Sequence, residues 1–337
     1  MRIVMMGTGS FAEPTFAALL AGPHPVVGLF TQPDRATGKE RGSTRQPKLG
    51  VKELAHERGI VVFQPESINT PEGFAGLRAL QPDLLVVAAY GQILSNDVLA
   101  SATHGGINVH ASLLPKYRGA APINWAIYHG ETRTGVTIIR MSTSLDAGDV
   151  LAQEAVDILP DETASELEAR LGPLGAKLAM AVVERIATGE PLSGVKQDKS
   201  QVTRAPKLTK EHGLVDWTRT AADVCNHVRA MQPWPTAYTF LHRPGQEPLR
   251  LIVLKTIRAG SVSDGDSTVA HASGSYESGQ VRSDRTQKHL YVHCGDGAWI
   301  EIVELQPAGK RRMAGAEFLR GNALPSGARM GPEMGES

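Results

Sequence analysis

Cysteine is nearly absent from this sequence: Cys225 and Cys294 are the only two among 337 residues. Two thiols cannot build a disulfide framework or, alone, a metal cage, and they are expected to stay reduced in a cytoplasmic protein. No apolar run approaches the roughly 20 residues that a membrane-spanning helix needs. The opening "MRIVMMGTGS" has no long apolar stretch before its glycine-rich turn, so no secretory signal and no membrane partner are expected. Net charge is missing as well, because 35 Lys and Arg balance 35 Asp and Glu. Bulk electrostatics therefore do not advertise a nucleic-acid partner. Repeats are lacking too. What is present is a 41% hydrophobic fraction, enough for full-sized cores, and a length that suggests about two domains.

Strands and helices alternate through the first 190 residues. "RIVMM" (2–6) reads as a strand, Gly7 to Gly9 as a tight turn and "EPTFAALLA" as a helix. "VVGLF" (26–30), "IVVFQP" and "DLLVVAAYG" read as further strands, with "VKELAHERG" and "EGFAGLRALQ" as helices between them. "GVTIIRM" (135–141) is a strand, "STSLDAGDV" (142–150) a loop, and "LAQEAVDIL" extended. A long helix follows. Thr163 and Glu166 have capping-box spacing, and Leu167, Leu171, Leu174, Leu178, Val182 and Ile186 recur at three- or four-residue steps as one buried face. The alternation predicts an α/β domain over 1–190, a Rossmann-like open, mostly parallel sheet with helices on both faces. Residues 191–206 read as a polar linker. From 207 to 320, one helix (about 220–232) and several short strands between Gly/Ser turns predict a small OB-like β-barrel. The tail, 321–337, is expected to be disordered.

Two motifs have bland alternatives. "GTGSFA" (7–12) outlines a dinucleotide fingerprint with Ala12 in the third glycine's place, and Asp34 stands roughly where a ribose-binding acid would. Glycines serve any tight βα turn equally well. From Asp34 to Lys52 the chain gathers a positive excess of about four in a long Gly/Pro-containing loop, and a similar excess is spread from Arg204 to Arg312. Each suits a clamp on phosphates or a solvated basic face.

The stretch "INVHASLLP" (107–115) carries the chemistry. Alternate residues of a strand share a face, so Asn108 and His110 point together, and strand ends of this kind are where α/β sheets place ligands. An amide and an imidazolium both donate hydrogen bonds, which suits a developing oxyanion. No Ser or Cys nucleophile motif accompanies them. Asp146 in "SLDAGD" supplies a carboxylate able to orient the imidazole and stabilise its charged form. The set fits transfer of an acyl group directly to an amine, without a covalent acyl-enzyme. Zinc is not expected, since Asn is a poor ligand and an N/S cluster is lacking.

"NVHASLLPKYRGAAPINWAI" followed by "GVTIIRMSTSLDAGDVL" resembles the formyltetrahydrofolate-dependent formyltransferases. The resemblance puts Asn108, His110 and Asp146 on that family's catalytic residues. It puts Ser112, Leu113, Leu114 and Pro115 on its folate-contacting loop, and Ile93 and Leu94 of "YGQIL" on its pteridine pocket. "TQPDR", "PKLTKEHGLVDW", "VRAMQPWPTAY" and "LQPAGKRRM" are similar to the members that formylate methionyl initiator tRNA, and the matches run from Met1 to about Arg320. The resemblance implies 10-formyltetrahydrofolate as co-substrate, no metal, methionyl initiator tRNA as acceptor and a cytoplasmic, monomeric protein. It implies tRNA contacts from Arg41, Arg45 and Lys48 in the basic loop and from Lys207, Lys210, Lys310, Arg311 and Arg312 beyond it. Glu40 interrupts the loop's charge, so Arg41 and Arg45 stay open as alternatives. A superfamily formyltransferase for a small amine, a formyltetrahydrofolate hydrolase and a non-catalytic NAD- or RNA-binding module are the other readings.

Overall fold

The computed structural model describes residues 1–34, 50–259, 276–284 and 286–333. The chain forms two compact units: Met1–Ile123, Arg133–Ile158 and Glu166–Lys207 make the first, and Asn124–Thr132, Leu159–Ser165 and Leu208–Ser337 the second. The chain begins β1 (Ile3–Gly7), α1 (Glu13–Ala21), β2 (Val26–Phe30), α2 (Val51–Glu57), β3 (Val62–Phe63), α3 (Pro71–Ala79), β4 (Leu84–Ala88), α4 (Asn96–Ala100) and β5 (Gly106–His110). It continues β6 (Arg118–Gly119), α5 (Pro122–Tyr128), β7 (Arg133–Arg140), β8 (Val150–Asp157), α6 (Ala164–Ala187) and β9 (Arg204–Ala205).

Seven of these strands form one Rossmann-like sheet in the order β3-β2-β1-β4-β5-β7-β8. The first five run parallel, while β7 is antiparallel to both β5 and β8. Strand order reverses between β1 and β4, the kind of place where such sheets open a crevice at the strands' carboxyl ends. Both faces are covered. Val4, Met6, Leu85 and Val87 join Leu77 of α3 and Val98 of α4 in one buried cluster. Strand alternation sends Met5, Val86 and Val109 to the other face. There α6 lies close, since a Cβ on Gly175 would come 2.7 Å from Val109 Cγ1. The expected apolar face of α6 is buried at Leu167, Leu171, Val182 and Ile186 and departs from expectation at its middle. Leu174 and Leu178 are only half-buried, whereas Gly172, Gly175, Ala176 and Ala179 are buried. Small residues let the helix backbone approach the sheet, and the leucines flank the contact.

The second unit contains α7 (Ala221–Ala230), β10 (Ala237–Arg243), β11 (Gln246–Arg258), β12 (Val281–Ser283), β13 (Leu290–His293), β14 (Trp299–Pro307), β15 (Met313–Ala314), α8 (Gly315–Gly321) and β16 (Arg329–Gly331). Its sheet is antiparallel, in the order β12-β13-β14-β11-β10-β16, with β15 on β14. A bridge from Gln280 to Arg329 draws the two ends together into a barrel. The expected disordered tail therefore contains a barrel strand: Arg329–Gly331 pairs with Phe240, Leu241 and His242. Met330, 2% exposed, supplies the burial that the polar composition around it conceals. Similarly, the polar stretch 191–206 contains β9, which pairs with β6 in a two-stranded sheet. Among the described residues no helix is long and apolar enough to cross a membrane.

Candidate active site

The end of β5 and the loop after β7 meet. Asn108 Nδ2 donates to Asp146 Oδ1 at 3.2 Å. His110 Nδ1 stands 3.7 Å from Asp146 Oδ2, with the two side chains 5% and 11% exposed. That separation exceeds a hydrogen bond, so the carboxylate faces the ring without bonding to it. The other ring nitrogen, Nε2, lies 2.9 Å from the Tyr117 carbonyl oxygen. A carbonyl only accepts, which assigns the proton to Nε2 and turns Nδ1 toward Asp146.

Asp146 takes φ +48°, a left-handed conformation that costs a non-glycine residue roughly 1–2 kcal/mol. Its surroundings hold it there. The Gly119 N–H donates to Oδ2 at 2.9 Å. Gln197 Nε2 donates to the backbone carbonyls of Asp146 at 2.9 Å and Gly148 at 2.7 Å. Arg118 Nε and Nη2 in turn donate to Gln197 Oε1 at 3.1 and 2.7 Å. The turn closes only with glycine at 148, where a Cβ would fall 1.6 Å from the Arg140 carbonyl oxygen.

The loop after β5 is pinned from β7 and β8. Thr137 Oγ1 accepts from Leu114 N at 3.1 Å and Gln153 Nε2 at 2.8 Å, and donates to the Ser112 carbonyl at 2.6 Å. Gln153 Nε2 also reaches the Leu114 carbonyl at 3.0 Å. Ser112 Oγ donates to the Lys116 carbonyl at 2.6 Å. Ser112 and Leu114 are buried and spend these groups inside the protein, while Leu113 and Pro115 are half-buried and keep surface to offer a ligand. Ile93 and Leu94 differ in the same way. Ile93 is 61% exposed, whereas Leu94 sits in the core cluster with Tyr90 and Val98. Burial pushes the Tyr90 phenol above its ordinary value.

Of the basic candidates, Arg41, Arg45 and Lys48 lie outside the described residues. Lys207 and Lys210 are exposed. Lys310, Arg311 and Arg312 are exposed in the turn between β14 and β15, where Arg311 pairs with Glu317 and Arg312 with Glu304 at 3.0 Å. Both arginine charges are thus answered within the barrel. Asp34, weighed as a ribose-binding acid, is engaged by Lys52 at 2.5 Å and Gln64 at 3.2 Å. Among the described residues no group of His, Cys, Asp or Glu is placed to hold a metal ion. Sequence reasoning missed Gln197, Arg118 and Gly119. "YRG" adjoins the motif and offered a signal for two of them. Gln197, in a polar stretch, offered none.

The formyl transferase signature matches residues 1–183, and that of the formyl transferase C-terminal domain matches 207–323. The chain is 44% identical over 332 residues to the methionyl-tRNA formyltransferase of Geobacter sulfurreducens, covering 98% of this chain and 97% of that one. It is 43% identical over 331 residues to the enzyme of the same name from Trichlorobacter lovleyi, covering 98% and 97%. The N-formyltransferase of Helicobacter canadensis, solved in complex with folinic acid and dTDP-3-aminofucose, shares the fold, with TM-score 0.61 at 15% identity over 89% of this chain and 98% of that one. The chain belongs to the formyl transferase family, in its methionyl-tRNA formyltransferase branch.

Proposed function

We propose that the chain transfers the formyl group of 10-formyltetrahydrofolate to the α-amino group of methionyl initiator tRNA, giving N-formylmethionyl-tRNA for translation initiation. The convergence of Asn108, His110 and Asp146 at the end of the last parallel strand carries this reading. The relatives' names support the acceptor, and the folinic acid bound by the Helicobacter canadensis protein supports the donor's class.

The amine, in its neutral form, attacks the formyl carbon. As the C–N bond forms, negative charge gathers on the formyl oxygen. One N–H of the Asn108 amide is committed to Asp146, and the other serves that oxygen, together with His110 Nδ1 when the ring carries a second proton there. Asp146, aimed by the Gly119 N–H, accepts the proton that the attacking amine sheds. Collapse of the tetrahedral intermediate breaks the bond to the folate nitrogen, which takes from Asp146 the proton that the amine shed, so protons balance without a covalent enzyme intermediate. Leu113, Pro115 and Ile93 offer apolar surface to the folate, with Ser112, Leu114 and Leu94 shaping the loops from beneath.

This chemistry rests in the first unit, and the barrel of the second unit, β16 included, handles the tRNA. Arg41, Arg45, Lys48, Lys207, Lys210, Lys310 and Arg311 are its proposed contacts, in the cytoplasm where the acceptor is made. The test is an acceptor panel: 10-formyltetrahydrofolate with methionyl initiator tRNA, methionyl elongator tRNA, glycinamide ribonucleotide or water. Formylation confined to the initiator tRNA is expected. Transfer to the ribonucleotide, or hydrolysis alone, overturns the acceptor assignment.

A further inference from the structure

Beside the catalytic groups the fold holds two arginines next to each other. β6 and β9 are only two residues long each, and their parallel register sets Arg118 opposite Arg204. Paired residues on neighbouring strands present their side chains to the same face. Burial, and then the charge of Arg204, depress the Arg118 guanidinium from its ordinary value, with Asp146 acting the other way. Arg118 is aimed by a neutral oxygen, Gln197 Oε1, which orients the guanidinium without neutralising it. The carboxylate that attracts Arg118 is Asp146, whose oxygens already accept from Asn108 and Gly119. The next residue, Gly119, donates its N–H to Asp146, so Arg118 adjoins the group that aims the carboxylate proposed to serve the reacting amine, and Arg204 is its strand partner. Two guanidinium groups held side by side repel, and an anion that accepts from both recovers that cost. The proposed acceptor carries its amine on the terminal nucleoside of a polyanion, so its last phosphodiesters arrive in this neighbourhood.

We propose that Arg118 and Arg204 form a subsite for a phosphodiester at the 3′ end of the acceptor tRNA. The proposal rests on the acceptor assigned above. Phosphate contacts fix the register of a nucleic acid on a protein, and here the contact sets where the esterified amine comes to rest. Arg204 is exposed, so replacing it leaves the core intact.

The test is a double-mutant cycle between protein and tRNA. Wild type, Arg204→Ala and Arg204→Lys would be assayed with native methionyl initiator tRNA and with tRNA carrying an uncharged methylphosphonate at either of the last two linkages. At one linkage, the methylphosphonate and Arg204→Ala should each raise KM for tRNA about fivefold or more, with no further loss when combined, while Arg204→Lys keeps most of the affinity. The salt slope of log KM should fall by about 1 in Arg204→Ala. Losses that multiply at both linkages, or an effect of one change without the other, overturn the subsite. Wild type inactive on native tRNA would instead overturn the acceptor assignment, and the subsite with it.

Discussion

Asn108 and Asp146, 38 residues apart in the chain, meet at 3.2 Å through Nδ2 and Oδ1. The contact closes the gap between the end of β5 and the loop that leaves β7, its antiparallel neighbour. It also spends one of the two Asn108 N–H groups and leaves the other for chemistry. Asn108→Ala removes a donor to the oxyanion, a change worth on the order of 3–4 kcal/mol in comparable sites. A loss in kcat of about a hundredfold or more is expected, with KM for both substrates within about threefold of wild type.

Gln197 binds two backbone carbonyls on either side of the Asp146 turn and receives Arg118. Gln197→Ala leaves those carbonyls and the guanidinium without this partner, at a cost of about 1–3 kcal/mol. The thermal midpoint should fall. Because Asp146 is then held less well, kcat should drop about tenfold while KM for the folate stays near wild type. Steady-state kinetics with a melting curve separates the two effects.

The contact between α6 and the sheet is equally specific. A Cβ at Gly175 would lie 2.7 Å from Val109 Cγ1, a branch of a stiff side chain. Gly175→Val overpacks it and should destabilise the protein by about 1–3 kcal/mol, read by denaturant unfolding. β5 shifts with Val109, so activity should fall as well.

His227 gives the second unit a pH response. Burial lowers its pKa from 6.5 to about 4, its Nε2 donates to the His212 carbonyl at 2.8 Å, and Arg219 nearby adds to the lowering. The folded state favours neutral imidazole. Stability from this group is therefore full above about pH 6.5, declines as pH falls from 6.5 toward 4, and changes no further below. The total is roughly 3 kcal/mol. Unfolding free energy measured across that window should show the decline, and His227→Gln should flatten it.

Much of this was legible in the sequence because periodicity is a local signal. The parallel strands, α6 and the barrel strands declare themselves by apolar spacing, and "NVH" sets two polar side chains on one face of a strand. What escaped depends on distant segments meeting. The middle of the buried face of α6 is built on glycine and alanine between Leu171 and Val182, which a search for leucines overlooks. β16 hides one buried methionine in a polar tail. Gln197 becomes part of the site only because the chain after α6 returns to the Asp146 loop. Leu94 and Ile93 are neighbours in one motif, yet one fills the core and the other faces solvent, a distinction that spacing alone does not make.

Asp146→Asn tests the central claim most directly. Asparagine tolerates the left-handed backbone that Asp146 adopts at φ +48°, so the substitution removes charge and basicity without backbone strain and keeps one of the two accepting oxygens that Asn108 and Gly119 use. Formyl transfer to methionyl initiator tRNA would be followed in a single turnover with both substrates saturating. A rate lower by about a hundredfold or more, with substrate affinities and thermal midpoint near wild type, is the predicted result. A rate within about threefold of wild type would contradict the assignment of Asp146 as the proton acceptor and, with it, the mechanism built on Asn108, His110 and Asp146.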